Sequence, residues 1–232
     1  MIYEFDDENQ ETKGFGGSKI INSFRYVVGK KDLRDEITDA LLNEHTACID
    51  VGANKTSLTL LKALVDSGML YRLDLVVIPL MDGETDAINA MEVYQTLKKA
   101  HHELKVIFAL GRVNEARELS CQFDLFLGDQ RKLFNQKGII LDAQPEDQKY
   151  LIIRDSDTVK YCRIFGVTVW ELAQSTADID AKLVEAIKTG DNPQMIKFLS
   201  FKRSLKRDCI EYTRETIKEA FRMIDERLLE RK

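Results

Sequence analysis

The sequence has little of what marks several special classes of protein. Its 232 residues include only three prolines and three histidines, and no apolar run approaches the ~20 residues that span a bilayer. The first residues have neither the basic nor the apolar region of a signal peptide. The histidines lack metal-ligand spacing, and no two cysteines form a CxxC pair. We therefore expect a cytoplasmic protein without a membrane span and with reduced thiols at Cys48, Cys121, Cys162 and Cys209.

The composition is that of an ordinary globular protein. Hydrophobic residues make up 44% of the chain and charged residues 31%, which argues against disorder. The formal net charge of −5 does not favour nucleic-acid binding over the whole surface. Because Cys48 and Cys121 lie in or beside apolar runs, we expect both to be small buried thiols.

Apolar runs of strand length alternate with segments of helical periodicity, which predicts an α/β fold. Three successive strand–helix units predict a parallel sheet with right-handed crossovers. We expect a three-layer, mostly parallel domain over residues 1–175 and a C-terminal helical extension over 176–232. Predicted strands cover 2–5, 47–51, 73–80, 104–110, 124–127 and 150–153, and predicted helices cover 32–42, 56–67, 85–100, 116–121, 158–165 and 169–173, with 20–28 ambiguous.

Asp50 is the first candidate for chemistry, because it lies near the end of a predicted buried strand and is followed by Gly52 and a helix. Open α/β folds bind ligands at the carboxyl ends of such strands, where an aspartate holds the Mg²⁺ shell or orients the attacking water. Small residues after it let a phosphate approach the helix N-terminus. In the alternative interpretation Asp50 merely caps the helix and Gly52 makes a tight turn.

Two glycine-containing segments miss the spacing of a phosphate-binding Walker A loop. Residues 52–56 have Asn54 where the motif requires glycine, and residues 14–19 follow the first strand at too great a distance. We interpret the 14–19 segment as a mobile loop, with an ordered switch-like segment as the alternative. The segment at 6–10, which begins with three acidic residues, is either close to a metal–phosphate site or a solvated turn.

A basic cluster lies on the long C-terminal helical segment. Such clusters are usually a solvated helix face, and nucleic-acid contact is the alternative interpretation. The members of the basic cluster are Lys202, Arg203, Lys206 and Arg207.

Residues 48–113 resemble the second half of the ParA/MinD-type plasmid-partition ATPases. The shared features are a strand ending in Asp50, a small-residue turn, a Val-Val-Ile-Pro-Leu strand at 76–80 and a strand ending in Gly-Arg-Val at 111–113. The sequence Asp-Val-Gly-Ala-Asn at 50–54 is most similar to the StbB-type plasmid stability proteins. Residues 166–173 resemble the G-x-T-V-x-E-L-A motif of the same proteins. The resemblance implies a P-loop NTPase type of sheet.

The resemblance also implies roles for individual residues. Asp6 and Asp50 would act in catalysis, Asp50 would also bind Mg²⁺, and ATP would be bound by the cofactor residues Glu8, Gly52, Asn54 and Arg112. Two departures matter: the Walker A strand, loop and helix would precede Met1, and Gly111 stands where the family often has asparagine. We therefore expect ATP to be hydrolysed poorly or not at all.

Two functions of different classes follow as hypotheses. The first is a relative of the partition ATPases that binds nucleotide at the carboxyl edge of its sheet and forms a homodimer linked to that nucleotide. The second is a non-enzymatic adaptor whose long C-terminal helix binds DNA or a protein such as a DNA-binding adaptor. A Rossmann-type enzyme is disfavoured because G-x-G-x-x-G is missing.

Overall fold

The chain forms two compact units. The computed structural model describes residues 2–5, 15–21, 23–26, 35, 37–38, 41–42, 47–52, 55–128 and 137–230. Unit 1 consists of Met1–Gln10, Asn22–Asp155 and Glu219–Lys232, and unit 2 consists of Glu11–Ile21 and Ser156–Lys218. The predicted boundary at 175/176 lies inside unit 2, because helices on both sides of it share one apolar core.

Unit 1 contains two three-stranded parallel sheets, ordered β2-β1-β3 and β4-β5-β6. The predicted α/β class is confirmed, but the described strands form two sheets rather than the single predicted one. In the first sheet, Phe5 pairs with Tyr26 on one side and with Val51 on the other. The strands are β1 (Ile2–Phe5), β2 (Ser23–Tyr26), β3 (Cys48–Val51), β4 (Val76–Leu80), β5 (Val106–Val113) and β6 (Tyr150–Arg154).

Most predicted helices are present, within a few residues of their expected bounds. Residues 35, 37–38 and 41–42 are helical, as expected for 32–42. The sequence also predicts a helical turn at 131–134, which lies outside the described residues. Short helical turns occupy Met69–Arg72, Ile139–Asp142 and Pro145–Asp147, and Thr213–Ile217 is a π turn. The helices are α1 (Lys55–Ser67), α2 (Glu84–Ala100), α3 (Leu119–Gln122), α4 (Asp124–Leu127), α5 (Asp157–Ile164), α6 (Val169–Gln174), α7 (Ile179–Thr189), α8 (Pro193–Tyr212) and α9 (Lys218–Leu229).

Strand β5 is the centre of its sheet, and its side chains from Val106 to Leu110 are all buried. A parallel strand covered on both faces reads as a continuous apolar run, as this one does. Helix α2 packs into the same core through residues spaced at three or four positions, including Met91, Tyr94 and Leu97. The helical spacing also predicts Ile88 on this stripe, but its side chain is exposed.

The expected strand at 124–127 is wrong, because Asp124–Leu127 is a helix. The amides of Leu127 and Gly128 donate to carbonyls four residues earlier, at 2.8 and 2.7 Å. Phe126 is fully buried with its ring edge against Phe108, 5.0 Å between centroids. An apolar run this short has no distinguishable period, so burial of the phenylalanine decided the conformation.

Strand β3 is present as predicted but is not buried. Cys48 and Asp50 are exposed while Ile49 and Val51 are half-buried, the alternation of a strand with one face on the core. The reason is topological, since β3 is an outer strand among the three described strands of its sheet. The expectation of buried thiols is therefore wrong for Cys48, and also for Cys121, which is exposed.

A buried ionic cluster centres on Asp147 in unit 1. This fully buried carboxylate accepts from Lys98 Nζ at 2.8 Å and from the Arg227 guanidinium. The Tyr94 hydroxyl donates to it at 3.1 Å and the Val106 amide at 3.3 Å. Burial, together with the neighbouring carboxylate, raises the pKa of Tyr94 to about 12. The cluster joins α2, β5 and α9 around one charge.

Unit 2 packs α5, α6 and α8 around a small core that includes Cys162, Leu172, Leu205 and Cys209. The start of α8 is set by local hydrogen bonding. The Asn192 side chain accepts from the Gln194 amide ahead of Pro193, as expected for a helix start. Among the described residues, no helix is both long and apolar enough to cross a membrane.

Candidate functional site

The first candidate site lies at β1 and β3, where two carboxylates occupy neighbouring positions. Asp50 is exposed and pairs in register with Glu4, which is only 1% exposed. Residues paired in parallel strands project from the same sheet face, so both acids are opposite the face formed by Tyr3 and Phe5. Glu4 is absent from the predicted site residues. Its charge inside an apolar strand could have identified it from the sequence.

Gly52 does not present a free amide to a ligand. Its N–H donates to the Phe5 carbonyl at 3.0 Å and so ties β3 to the end of β1. The sequence predicts a backbone contact between this glycine and phosphate. The Gly52 N–H cannot make that contact while it is hydrogen-bonded to Phe5. Of the other predicted site residues, Asp6, Glu8 and Asn54 lie outside the described residues.

Arg112 lies near the carboxyl end of β5 in an uncommon backbone conformation. Its φ is 53°, in the left-handed region that costs a non-glycine residue about 1 kcal/mol or more. The side chain is exposed, and the strand register with β6 shifts between Leu110 and Val113. The exposed guanidinium therefore depends on a strained backbone at the end of the central strand.

Close packing against Met81 favours glycine at position 111. A Cβ at this position would lie 2.7 Å from the sulfur of Met81. A larger residue such as asparagine would require Met81 to move. The chain following β4 therefore approaches β5 closely at Gly111.

Further polar residues gather at the carboxyl ends of β4, β5 and β6. Asp82 and Arg117, both exposed, lie 3.8 Å apart, and Glu115 pairs with Arg154 at 2.8 Å. Neither pair is among the predicted site residues, because the four residues come from separate loops and a strand end. This edge therefore carries both signs of charge close to Arg112 in sequence.

The structure brings some predicted residues together and leaves others apart. Asp50 and Gly52 belong to the first sheet, whereas Arg112 belongs to the second. No described contact joins Asp50 or Gly52 to Arg112. In the described part of the chain, no group of three or more His, Cys, Asp or Glu side chains is placed to hold a metal ion. A magnesium site at Asp50 thus stays a prediction.

The described part of the glycine-rich loop is held in unit 2. The Gly17 amide donates to the Gly166 carbonyl at 2.9 Å. The Ser18 hydroxyl and the Lys19 amide donate to the Glu171 carboxylate at 2.8 and 2.6 Å. These bonds favour the ordered alternative over a mobile loop.

Glu171 also caps its own helix, where Thr168 donates to it from both the amide and the hydroxyl, at 3.0 and 2.9 Å. Partial burial raises the pKa of Glu171. The hydrogen bonds from Thr168, Lys19 and Ser18 outweigh burial and lower the pKa to about 2.

The basic cluster makes contacts inside unit 2. Lys206 Nζ donates to the Ser175 carbonyl at 2.6 Å, and Arg203 pairs with Asp180. The Lys202 ammonium lies 5.8 Å from the centre of the Phe165 ring. Arg207 is near Asp208, at 3.8 Å. These contacts weaken the interpretation of the cluster as a nucleic-acid site.

Helices α7 and α8 expose several apolar side chains, of which Met195 and Phe198 line a shallow cleft of about 450 Å³. Exposed apolar side chains that line a cleft are candidates for contact with a partner. The set, called here the α7/α8 apolar surface, consists of Val184, Ile187, Met195, Phe198 and Phe201.

Fold and site together define a two-unit α/β protein with parallel sheets and a polar edge at the carboxyl ends of the second one. Comparisons with protein-family models, with curated proteins and with solved structures each found no match.

Proposed function

We propose that unit 1 binds ATP with Mg²⁺ at the carboxyl ends of its parallel strands, as a relative of the plasmid-partition ATPases that its sequence resembles. The observation that carries the proposal is Arg112, an exposed guanidinium held with a φ of 53° near the end of the central strand. Backbone strain of this kind clusters at ligand sites, where positioning of a side chain outweighs its cost.

The location of Arg112 supports the same conclusion. Parallel α/β sheets bind ligands beyond the carboxyl ends of their strands, and arginine binds phosphate oxygens through a fork of N–H donors. Arg117 lies on the same side of the strand ends and is already paired with Asp82. Arg112 is therefore the residue to which we assign the phosphate contact.

Asp50 and Glu4 supply the acidic part of the proposal. Carboxylate oxygens are ligands that Mg²⁺ prefers, usually one or two of them together with waters and phosphate oxygens. Asp50 is exposed on the strand face that it shares with Glu4. In this function Asp50 binds the Mg²⁺ of the nucleotide, and hydrolysis is slow or absent.

A titration with a fluorescent ATP analogue in the presence of Mg²⁺ tests the assignment of Arg112. Arg112→Ala should weaken the affinity about ten- to hundredfold, the worth of a charge-assisted hydrogen bond. Arg222→Ala is the matched control, because Arg222 is an exposed arginine of unit 1 on α9. The helix that carries Arg222 ends beside Lys105 and Lys149, which precede β5 and β6. Arg112, in contrast, lies near the carboxyl end of β5. Absence of binding by the wild type would refute the proposal.

Substitution of Arg112 by glycine separates strain from charge. Arg112→Gly should bind nucleotide as weakly as Arg112→Ala, yet be more stable by about 0.5–1 kcal/mol because glycine adopts this φ freely. Urea unfolding measures the stability. Unchanged nucleotide affinity in both variants would remove Arg112 from the site.

The Mg²⁺ dependence of the same titration tests Asp50. For the wild type, removal of Mg²⁺ with a chelator should weaken nucleotide binding, and Asp50→Ala should abolish that difference. Asp142→Ala is the control, since Asp142 is an exposed aspartate in the turn before β6. Equal Mg²⁺ dependence in the wild type and Asp50→Ala would exclude Asp50 as the metal ligand.

A second candidate function is that of an adaptor, favoured by the α7/α8 apolar surface. Met195 is 46% exposed and Phe198 is 44% exposed, while the neighbouring basic side chains make internal contacts. A protein partner, including a second copy of the chain, fits this surface better than DNA. Met195→Glu should lower the self-association measured by sedimentation equilibrium, whereas Leu229→Glu, at a still more exposed apolar position on α9, should not.

A further inference from the structure

Two cysteines of unit 2 lie side by side in its core. The Sγ atoms of Cys162 on α5 and Cys209 on α8 are 3.4 Å apart, although 47 residues separate them in the chain. Both residues are 0% exposed. The remaining cysteines, Cys48 and Cys121, are exposed. The chain therefore pairs its two buried thiols and leaves the other two at the surface.

The two sulfurs are in direct non-bonded contact and would have to approach further to form a covalent bond. A disulfide needs about 2.05 Å between its sulfur atoms, so an approach of roughly 1.4 Å would suffice. Such a shift is within the reach of side-chain rotation and a small movement of one helix. At the present distance one thiol donates a hydrogen bond to the other.

The hydrogen bond makes the two thiols chemically unequal. With Cys209 as the donor, the hydrogen bond favours the thiolate of Cys162 and lowers the pKa of Cys162, although burial opposes the shift. The same hydrogen bond, with burial, raises the pKa of Cys209. The thiolate is the nucleophilic form of cysteine, which makes Cys162 the attacking residue of the pair.

We propose that Cys162 and Cys209 are a redox site that a small peroxide converts into a reversible disulfide between α5 and α8. Complete burial favours a small, neutral oxidant such as hydrogen peroxide over a bulky disulfide. The bond would fasten together two helices of the unit 2 core, one of which carries part of the α7/α8 apolar surface.

The reaction is balanced by peroxide alone. The Cys162 thiolate attacks one peroxide oxygen, the O–O bond breaks, and the released hydroxide takes up a proton as water. The sulfenic acid formed at Cys162 is then attacked by the Cys209 sulfur. The S–S bond forms, the S–O bond breaks, and the departing hydroxide takes the Cys209 proton as a second water. Two thiols lose two electrons, and one peroxide is reduced to two waters.

The test uses Cys48→Ser/Cys121→Ser, which keeps only the paired thiols and alters two exposed positions. The folded protein is treated with hydrogen peroxide, free thiols are blocked with iodoacetamide in denaturant, and the intact mass is measured. We expect a mass lower by two hydrogen atoms and no alkylation. Trypsin should then release the peptides Tyr-Cys-Arg (161–163) and Asp-Cys-Ile-Glu-Tyr-Thr-Arg (208–214) as one linked species, which dithiothreitol separates.

Stability supplies an independent readout. Oxidation should raise the Tm by several degrees, since a cross-link that closes a loop of this length restricts the unfolded chain. Further substitution of Cys162→Ala or Cys209→Ala should remove that rise. Full alkylation of both cysteines after peroxide, a sulfinic acid at Cys162, linkage between chains or a lowered Tm would each overturn the proposal.

Discussion

Each unit surrounds one carboxylate with hydrogen-bond donors, and the donors differ in charge. Asp147 of unit 1 is fully buried and contacts two cations, Lys98 and Arg227. Glu171 of unit 2 is half-buried, and its four donors are the hydroxyls and amides of Ser18, Lys19 and Thr168. One acid is neutralised by opposite charge and the other is solvated by neutral dipoles.

The difference determines how each unit responds when its carboxylate is lost. A buried cation without its partner is costly, because its charge has left water without compensation. Neutral donors without their acceptor lose hydrogen bonds only. Unit 1 should therefore depend more strongly on its acid than unit 2 does. Three predictions test this comparison, in order of decreasing effect, and a fourth tests a buried hydroxyl of unit 2.

Asp147→Asn should destabilise the protein by about 3–5 kcal/mol, since Lys98 would stay buried with no counter-charge and Arg227 would keep only its pair with Glu230. Urea unfolding measures the change. Asp142→Asn, an exposed aspartate in the neighbouring turn, should change stability by less than about 0.5 kcal/mol. A similar small effect of Asp147→Asn would contradict the importance of the ionic cluster.

Glu171→Gln should destabilise the protein by about 1–3 kcal/mol, less than Asp147→Asn. The amide keeps one acceptor oxygen but turns N–H groups toward donors that previously met a carboxylate. Hydrogen exchange of the Lys19 amide should become faster. Glu185→Gln on α7, whose side chain is exposed, is the control. A loss larger than that of Asp147→Asn would reverse the comparison.

Acid should remove the contribution of Glu171. Its pKa is about 2 in the folded protein, below its ordinary value of 4.5, so its contribution is complete above about pH 4.5 and is lost as the pH falls to about 2. After allowance for partial exposure we expect a loss of about 1–2 kcal/mol. The stability difference between wild type and Glu171→Gln should shrink from pH 6 to pH 2.5; a constant difference would exclude this linkage.

Thr216→Val should stabilise the protein by about 1 kcal/mol. Among the described side chains, the buried oxygen and nitrogen atoms without a partner are the hydroxyls of Thr213 and Thr216, both in unit 2. Valine removes such a hydroxyl at nearly constant volume. Thr158→Val is the control, because the hydroxyl of Thr158 bonds with Ser156 at 2.8 Å and its loss should destabilise. A loss at Thr216 would mean that the hydroxyl has a partner.

Much of the secondary structure was predictable from local patterns. The long helices α2 and α8 have apolar residues at helical spacing, and Asn192-Pro193 marks a helix start. The four residues Asp124–Leu127 were not predictable in this way. Their conformation depends on the burial of Phe126 against Phe108, a contact that no local period encodes.

The candidate site was predictable in smaller part. The position of Asp50 on β3 follows from its strand pattern, and its exposure follows from the outer position that β3 takes among the described strands of its sheet. The left-handed conformation of Arg112 had no sequence signal, since glycine precedes it at 111 and takes no such φ. The acidic pairing of Asp50 with Glu4 required knowledge of which strands are neighbours.

The strand that contains Asp50, the long helices and the α/β class were determined by the sequence alone, because they depend on the period of a few consecutive residues and on the residues that end each element. The two units, the Asp147–Arg227 pair across 80 residues and the Ser18–Glu171 bond across 153 were decided only by the tertiary structure. These contacts form between groups that are distant in the chain, and many donors could meet each carboxylate. Packing of the whole chain selects among them.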